Sequence, residues 1–138
     1  MQDVMDGLLW VAIGSALGGI SRFWLSGFVG RRIGETFPWG TMAVNVTGAF
    51  AIGAIAAIVL TNPPSFDLRM AWPLAVTGFL GSYTTVSSFS LQTLMLARDG
   101  EHQRAAANIA LSILLCLGAV ALGYASGMVL SSTNPVPG

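Results

Sequence analysis

From Gly78 to Ser90 the chain reads GFLGSYTTVSSFS, a run of small and hydroxylated residues inside a stretch otherwise hydrophobic enough to cross a membrane. Lipid offers no hydrogen-bond partner to an unwound backbone, so such an interruption is tolerated only where it is buried in protein or lines a polar cavity. A helix broken at membrane depth suggests transport.

The remainder of the chain makes the membrane reading general. Of 138 residues, 54% are hydrophobic and 9% charged, with mean hydropathy +0.71, which is too apolar for an ordinary soluble domain. Net charge is zero, lysine is absent and the arginines are scattered, so nucleic acid is not an expected partner. A single cysteine, Cys116, excludes an internal disulfide, and no His/Cys cluster has metal-ligand spacing. Asp3 and Asp6 precede the first apolar run without a basic residue, so the first hydrophobic segment is expected to be retained and not cleaved as a signal peptide.

A spanning helix needs ~20 mostly apolar residues. Four stretches meet that length, 8–29, 39–60, 70–97 and 105–130, which predicts an all-α integral membrane protein forming a single domain over 1–138. Polar separators follow the first span (Arg31, Arg32, Gly34, Glu35), the second (Asn62-Pro63-Pro64, Asp67, Arg69) and the third (Arg98-Asp99-Gly100-Glu101). The tail Ser131 to Gly138 is expected to fray. The third span is longer than a straight crossing requires, and two half-helices meeting near the midplane would absorb the excess. Arg31, Arg32, Arg98 and Arg104 flank one face of the membrane against Arg69 on the other, so the positive-inside rule favours outside termini.

Depth sorts the polar residues. Arg22, Asn45, Gln92 and Asn108 all fall in one half of the membrane, roughly one to two turns from the surface carrying the first and third loops. Thr41 and Asn45 share one helix face, as do Asn108, Ser112 and Cys116. Such a stripe either hydrates an ion path or lets helices approach and hydrogen-bond one another. Arg22 either faces a watery interior or snorkels to the interface. Asn45, a primary amide among apolar neighbours, requires partners. Gly14 and Gly18 form a G-x-x-x-G packing face. His102 reads as a solvated loop residue, Cys116 as a small packing residue, and Trp10, Trp39 and Trp72 as interfacial indoles. No span contains Asp or Glu, which removes a carboxylate proton relay, and the histidine lies in a loop, far from any buried serine. Enzyme activity is not expected.

Three segments together resemble a known family: Gly18-Gly19 with Arg22; Gly40-Thr41-Met42-Ala43-Val44-Asn45-Val46-Thr47-Gly48; and Gly78 to Ser90. Their order and spacing are similar to those of the Fluc (CrcB-type) fluoride channels. The resemblance implies an antiparallel, dual-topology homodimer of four-helix subunits with two fluoride pathways, passive fluoride export across the bacterial cytoplasmic membrane, and a structural Na+ at the dimer interface held by backbone carbonyls that map onto Gly81 and Thr84 of both subunits. The family asparagine maps onto Asn45, and the second of two pathway phenylalanines onto Phe89. The first is Val86 here, an apolar wall in place of a ring edge, and Gln92 stands where a Glu is frequent. Ser112 matches a pore-side hydroxyl. Fluoride must exchange its hydration shell for neutral donors, and Asn45, Thr41, Thr85, Ser87 and Ser112 would supply them, with Arg22 drawing anions to the entrance. A small four-helix multidrug exporter is the alternative transporter, although it needs an embedded carboxylate; a non-transporting membrane assembly subunit needs only the packing features.

Overall fold

The computed structural model describes residues 2–34, 36–61 and 72–133, with side chains from Met5 onward. Throughout the described residues the regular structure is helical: α1 (Gln2–Ile33), α2 (Trp39–Thr61), α3 (Pro73–Leu80), α4 (Gly81–Tyr83), α5 (Val86–Arg98) and α6 (His102–Thr133). Among the described residues three helices, α1 from Met5 onward, α2 and α6, are long and apolar enough to cross a membrane. The expected loop 62–69, the first two residues of the expected third span, Glu35, and 134–138 of the tail lie outside the described residues.

The outer helices run beyond the apolar stretches. With 32 residues each, α1 and α6 reach ~48 Å, against a hydrocarbon core of ~30 Å. Hydropathy marks only the part that lipid must cover; the helical hydrogen-bond ladder continues into water. Ser131 to Thr133 accordingly remain helical, although the composition of the tail predicts fraying. Glycines stop the helices where a left-handed residue is required. Gly34 (φ 112°) donates its N–H to the Gly30 carbonyl at 2.9 Å, and Arg31 and Arg32 sit in the last turn, where cations oppose the negative helix end. After α5, Gly100 (φ 81°) turns the chain while the Glu101 N–H reaches back to the Leu96 carbonyl at 2.9 Å, a six-to-one closure. The turn is so short that α5 and α6 must lie side by side.

Where two half-helices are expected there are three pieces. Pro73 opens α3, whose eight residues are wound as a π-helix; α4 is a single turn; then Thr84 (φ −75°, ψ 156°) and Thr85 (φ −151°, ψ 118°) are extended before α5 begins. Wide π turns are rare and mark local strain or function. Here they bring Gly78 against the Val11 carbonyl of α1, and a Cβ on Gly14 would collide with the Leu74 carbonyl in return. Gly18 is equally closed, by the Phe79 carbonyl and the Ser82 hydroxyl, so the G-x-x-x-G face is buried against α3 and α4.

A second glycine seam joins α2 to α6. Gly53 faces the Val120 carbonyl, Gly123 the Phe50 carbonyl, and Gly127 the Ala54 carbonyl. In lipid, helix association rests on such close backbone approach, because burying apolar surface from lipid gains little. A small core of Val44, Leu80 and Tyr83, flanked by Leu25, Ala51, Ile55 and Phe79, fills the space between α1, α2 and the broken segment. Large apolar side chains elsewhere point outward, among them Ile13, Leu17 and Phe23 on α1 and Leu114, Leu117 and Leu122 on α6. That is the inside-out surface a lipid environment requires.

Candidate functional site

The extended pair Thr84–Thr85 exposes backbone groups that a continuous helix would have satisfied, and Asn45 of α2 takes them up. Its Oδ1 accepts the Thr85 N–H at 2.8 Å, and its Nδ2 donates to the Thr85 carbonyl at 2.9 Å. The N–H of Thr85 can only donate, so the orientation of the carboxamide is fixed by chemistry. One Nδ2 hydrogen remains for another acceptor. Expected from its sequence context to donate to the permeating anion, Asn45 is in the fold first a clamp on the break.

Thr85 also caps α5. Its Oγ1 accepts the Ser88 N–H at 3.1 Å and donates to Ser88 Oγ at 3.2 Å, with Ser87 Oγ at 3.0 Å. Ser87 is exposed and committed to this cap, while Ser88 faces inward. The Ser88 role carries a sequence signal, since a hydroxyl residue three positions before another, at the start of an apolar run, has N-cap spacing. Upstream, Thr84 Oγ1 donates to the Leu80 carbonyl at 2.9 Å, and Ser82 Oγ contacts both the Ser15 carbonyl of α1 (2.9 Å) and the Gly78 carbonyl (2.8 Å). Tyr83 shares a 2.7 Å hydrogen bond with Thr47 of α2. These last contacts had no signature in the sequence, because Ser15 and Thr47 are ordinary small residues until the fold sets them opposite the break.

Two clefts flank the break. A mostly apolar one of about 530 Å³ is lined by Asn45, Gly81, Thr84, Thr85, Val86 and Phe89, with Ser112 and Cys116 of α6 on the opposite wall. Val86, 78% exposed, stands at its rim. Ser112 has no hydrogen-bond partner among the described residues, so its hydroxyl is free to serve a guest. The second cleft, about 330 Å³ and polar, lies between α1, α2 and α5 and holds Arg22, Ser26, Thr41 and Ser88. Thr85 borders both. Among the described residues Arg22 makes neither a hydrogen bond nor an ion pair. The expected site residues therefore divide: Arg22 and Thr41 on one side of Thr85, Asn45, Phe89, Val86 and Ser112 on the other, and Ser87 outside both clefts.

The polar stripe on the fourth apolar segment also divides. Asn108, 2% exposed, donates to Thr93 Oγ1 at 2.8 Å and ties α6 to α5, whereas Ser112 and Cys116 face the larger cleft. Cys116, read from sequence as a packing residue, is thus a wall of the cleft. A third cleft, near the α1–α2 and α5–α6 connections, is bordered by Gln92, Thr36, Asp99 and Arg104. The Gln92 Oε1 atom is buried there without a partner among the described residues. Arg104 pairs with Glu101 at 3.0 Å, an exposed ion pair of small energetic consequence.

Lipid-facing helices around an interrupted segment with a cleft on either side define a multi-pass α-helical membrane protein. The family model described as CrcB-like protein, Camphor Resistance (CrcB), matches residues 9–124, and the chain belongs to that family. It is 60% identical over 131 residues to the fluoride-specific ion channel FluC 2 of Rhodopseudomonas palustris (strain BisB18), covering 95% of this chain and 100% of that relative. It is 57% identical to FluC 2 of Bradyrhizobium diazoefficiens, over 88% of each chain, and 50% identical to FluC 3 of Brucella suis biovar 1, over 87% of this chain and 90% of the relative.

Proposed function

We propose that the chain is a passive, fluoride-selective channel of the bacterial inner membrane, with four crossings per subunit, working as an antiparallel homodimer. The observation that carries this reading is the meeting of the two clefts at Thr85. A subunit whose Arg22, Asn45, Gln92 and Asn108 all fall in one half of the membrane has no continuous path of its own; an inverted copy would supply the other half.

The local electrostatics favour an anion. The N-terminus of α5 opens at the break, and a helix N-terminus carries about half a positive charge. Arg22 lies beyond Thr85 without a carboxylate among the described residues to neutralise it. Apart from Arg22, the donors within the clefts are neutral: the remaining Nδ2 hydrogen of Asn45, the Ser112 hydroxyl and the Thr41 hydroxyl. Neutral donors replace part of the hydration shell while still allowing release, as conduction requires. Phe89 and Val86 supply the apolar walls that keep the passage narrow. No carboxylate lies within the apolar segments to couple the flow to protons, so the ion moves down its own gradient.

A structural Na+ fits the residues at the break. Gly81 and Thr84 both line the larger cleft, and carbonyls at a helix end lack intrahelical partners. The Thr84 hydroxyl is turned back onto the Leu80 carbonyl, which leaves backbone oxygens as the hard donors such a cation takes. Gly81 and Thr84 of each subunit would hold the ion and fix the two breaks to each other.

Efflux from proteoliposomes tests the function. Fluoride release that needs no proton gradient and excludes chloride supports it. Drug-for-proton exchange would indicate an exporter, and sealed vesicles that retain fluoride would indicate an assembly subunit.

A further inference from the structure

The outward face of α1 carries Ile20, Trp24, Phe28 and Arg32 at successive four-residue intervals, one above another. Trp24 and Phe28 are stacked, with centroids 5.5 Å apart and planes 10° from parallel. The Arg32 guanidinium lies over the Phe28 ring at 5.2 Å. Arg31 and Arg32 are exposed and, among the described residues, neither has a carboxylate partner. The foot of this ladder enters a groove of about 530 Å³ between α1, α2 and the broken segment, lined by Ile20, Trp24, Leu25, Ala51 and Phe79. Of its polar lining groups Thr47 and Tyr83 satisfy each other, which leaves the Ser21 hydroxyl as the remaining one on an otherwise apolar lining. The groove therefore offers apolar surface to a guest.

We propose that this face binds one anionic phospholipid, with its phosphate at Arg31 and Arg32 and one acyl chain descending past Phe28 and Trp24 into the groove. Two observations choose this occupant. Charge complementarity is one: the chain is neutral overall, yet two cations without a carboxylate partner among the described residues are concentrated at this helix end. Length is the other. From Arg32 to Ile20 is twelve residues, ~18 Å of helix rise, close to the ~15 Å thickness of one hydrocarbon leaflet. A lipid standing upright in its leaflet thus spans the ladder from end to end. The face holds none of the residues assigned to the fluoride path, and the inference is independent of that reading.

A variant with Trp10, Trp39 and Trp72 replaced by Phe leaves Trp24 as the fluorescent reporter. Phosphatidylglycerol with brominated acyl chains should quench it at a several-fold lower mole fraction than brominated phosphatidylcholine, and Arg31→Gln/Arg32→Gln should abolish the difference without loss of fluoride flux. Equal quenching by the two lipids would reduce the face to ordinary lipid contact and overturn the proposal. Absence of quenching by either would mean that a second copy or another protein covers the face, which overturns it equally. Native mass spectrometry of the unaltered protein from an equimolar mixture of the two lipids gives a second readout: a retained phosphatidylglycerol, lost in the double Gln variant, is expected, and retention without preference refutes the site.

Discussion

Asn45 grips both backbone polar groups of Thr85, at 2.8 and 2.9 Å, across forty residues of sequence. The carboxamide thereby replaces, at the break, the hydrogen bonds that a helix would have made for itself. Asn45→Ala would leave a buried donor and acceptor without partners, at a cost of about 1–3 kcal/mol each. The expected result is loss of fluoride efflux together with a lower unfolding temperature in detergent. Asn45→Asp should fail in the same assays, since a carboxylate cannot donate to the Thr85 carbonyl.

Thr85 has a separable duty as the cap of α5. Thr85→Ser keeps the hydroxyl acceptor and should retain both stability and flux. Thr85→Val, similar in shape but without the oxygen, should cost about 1 kcal/mol in unfolding measurements.

The seam between α2 and α6 predicts a contrast between two glycines of one helix. Gly123→Ala would drive a methyl group into the Phe50 carbonyl and should destabilise the fold by about 1–3 kcal/mol. Gly118→Ala, with nothing within 4 Å of the added carbon, should be stabilising by about 0.5–1 kcal/mol. Thermal unfolding of the two variants checks the opposite signs.

Cys116 provides a native probe of the larger cleft. Silver ions or a small thiol-directed reagent added to proteoliposomes should block fluoride efflux, and Cys116→Ala should conduct and be insensitive. Block that persists in Cys116→Ala would place the reagent elsewhere.

If backbone oxygens hold Na+, Thr84→Ala should leave the sodium requirement for dimer stability intact, because only the side chain is altered. Dimer dissociation compared in sodium and in N-methylglucamine, for both proteins, tests this. Loss of sodium dependence in the variant would assign the cation to the hydroxyl.

Much of this was legible before any coordinate. The helical content follows from long apolar stretches that lipid must cover, and the break follows from small hydroxylated residues where a plain span would have leucines. Gly14 and Gly18 announced a packing face through their spacing. Other features depend on which faces meet, and periodicity is blind to that. Asn108, Ser112 and Cys116 share one stripe, yet the close approach of α5 buries Asn108 against Thr93 and leaves the other two on the cleft. Arg22 and Asn45 fall at one depth, yet Thr85 stands between them and puts them in different clefts. The π winding of α3 fits it against the backbone of α1, a contact that no local propensity records.

α2 is welded to α6 along its glycine edge and hydrogen-bonded to the break through Asn45 and Thr47 along the other. The gap between Ser112 and Thr85 is therefore calibrated in part by glycines that never meet an ion. A substitution at Gly53 or Gly123 would rescale the aperture from a distance, as surely as one at the hydroxyls that border it.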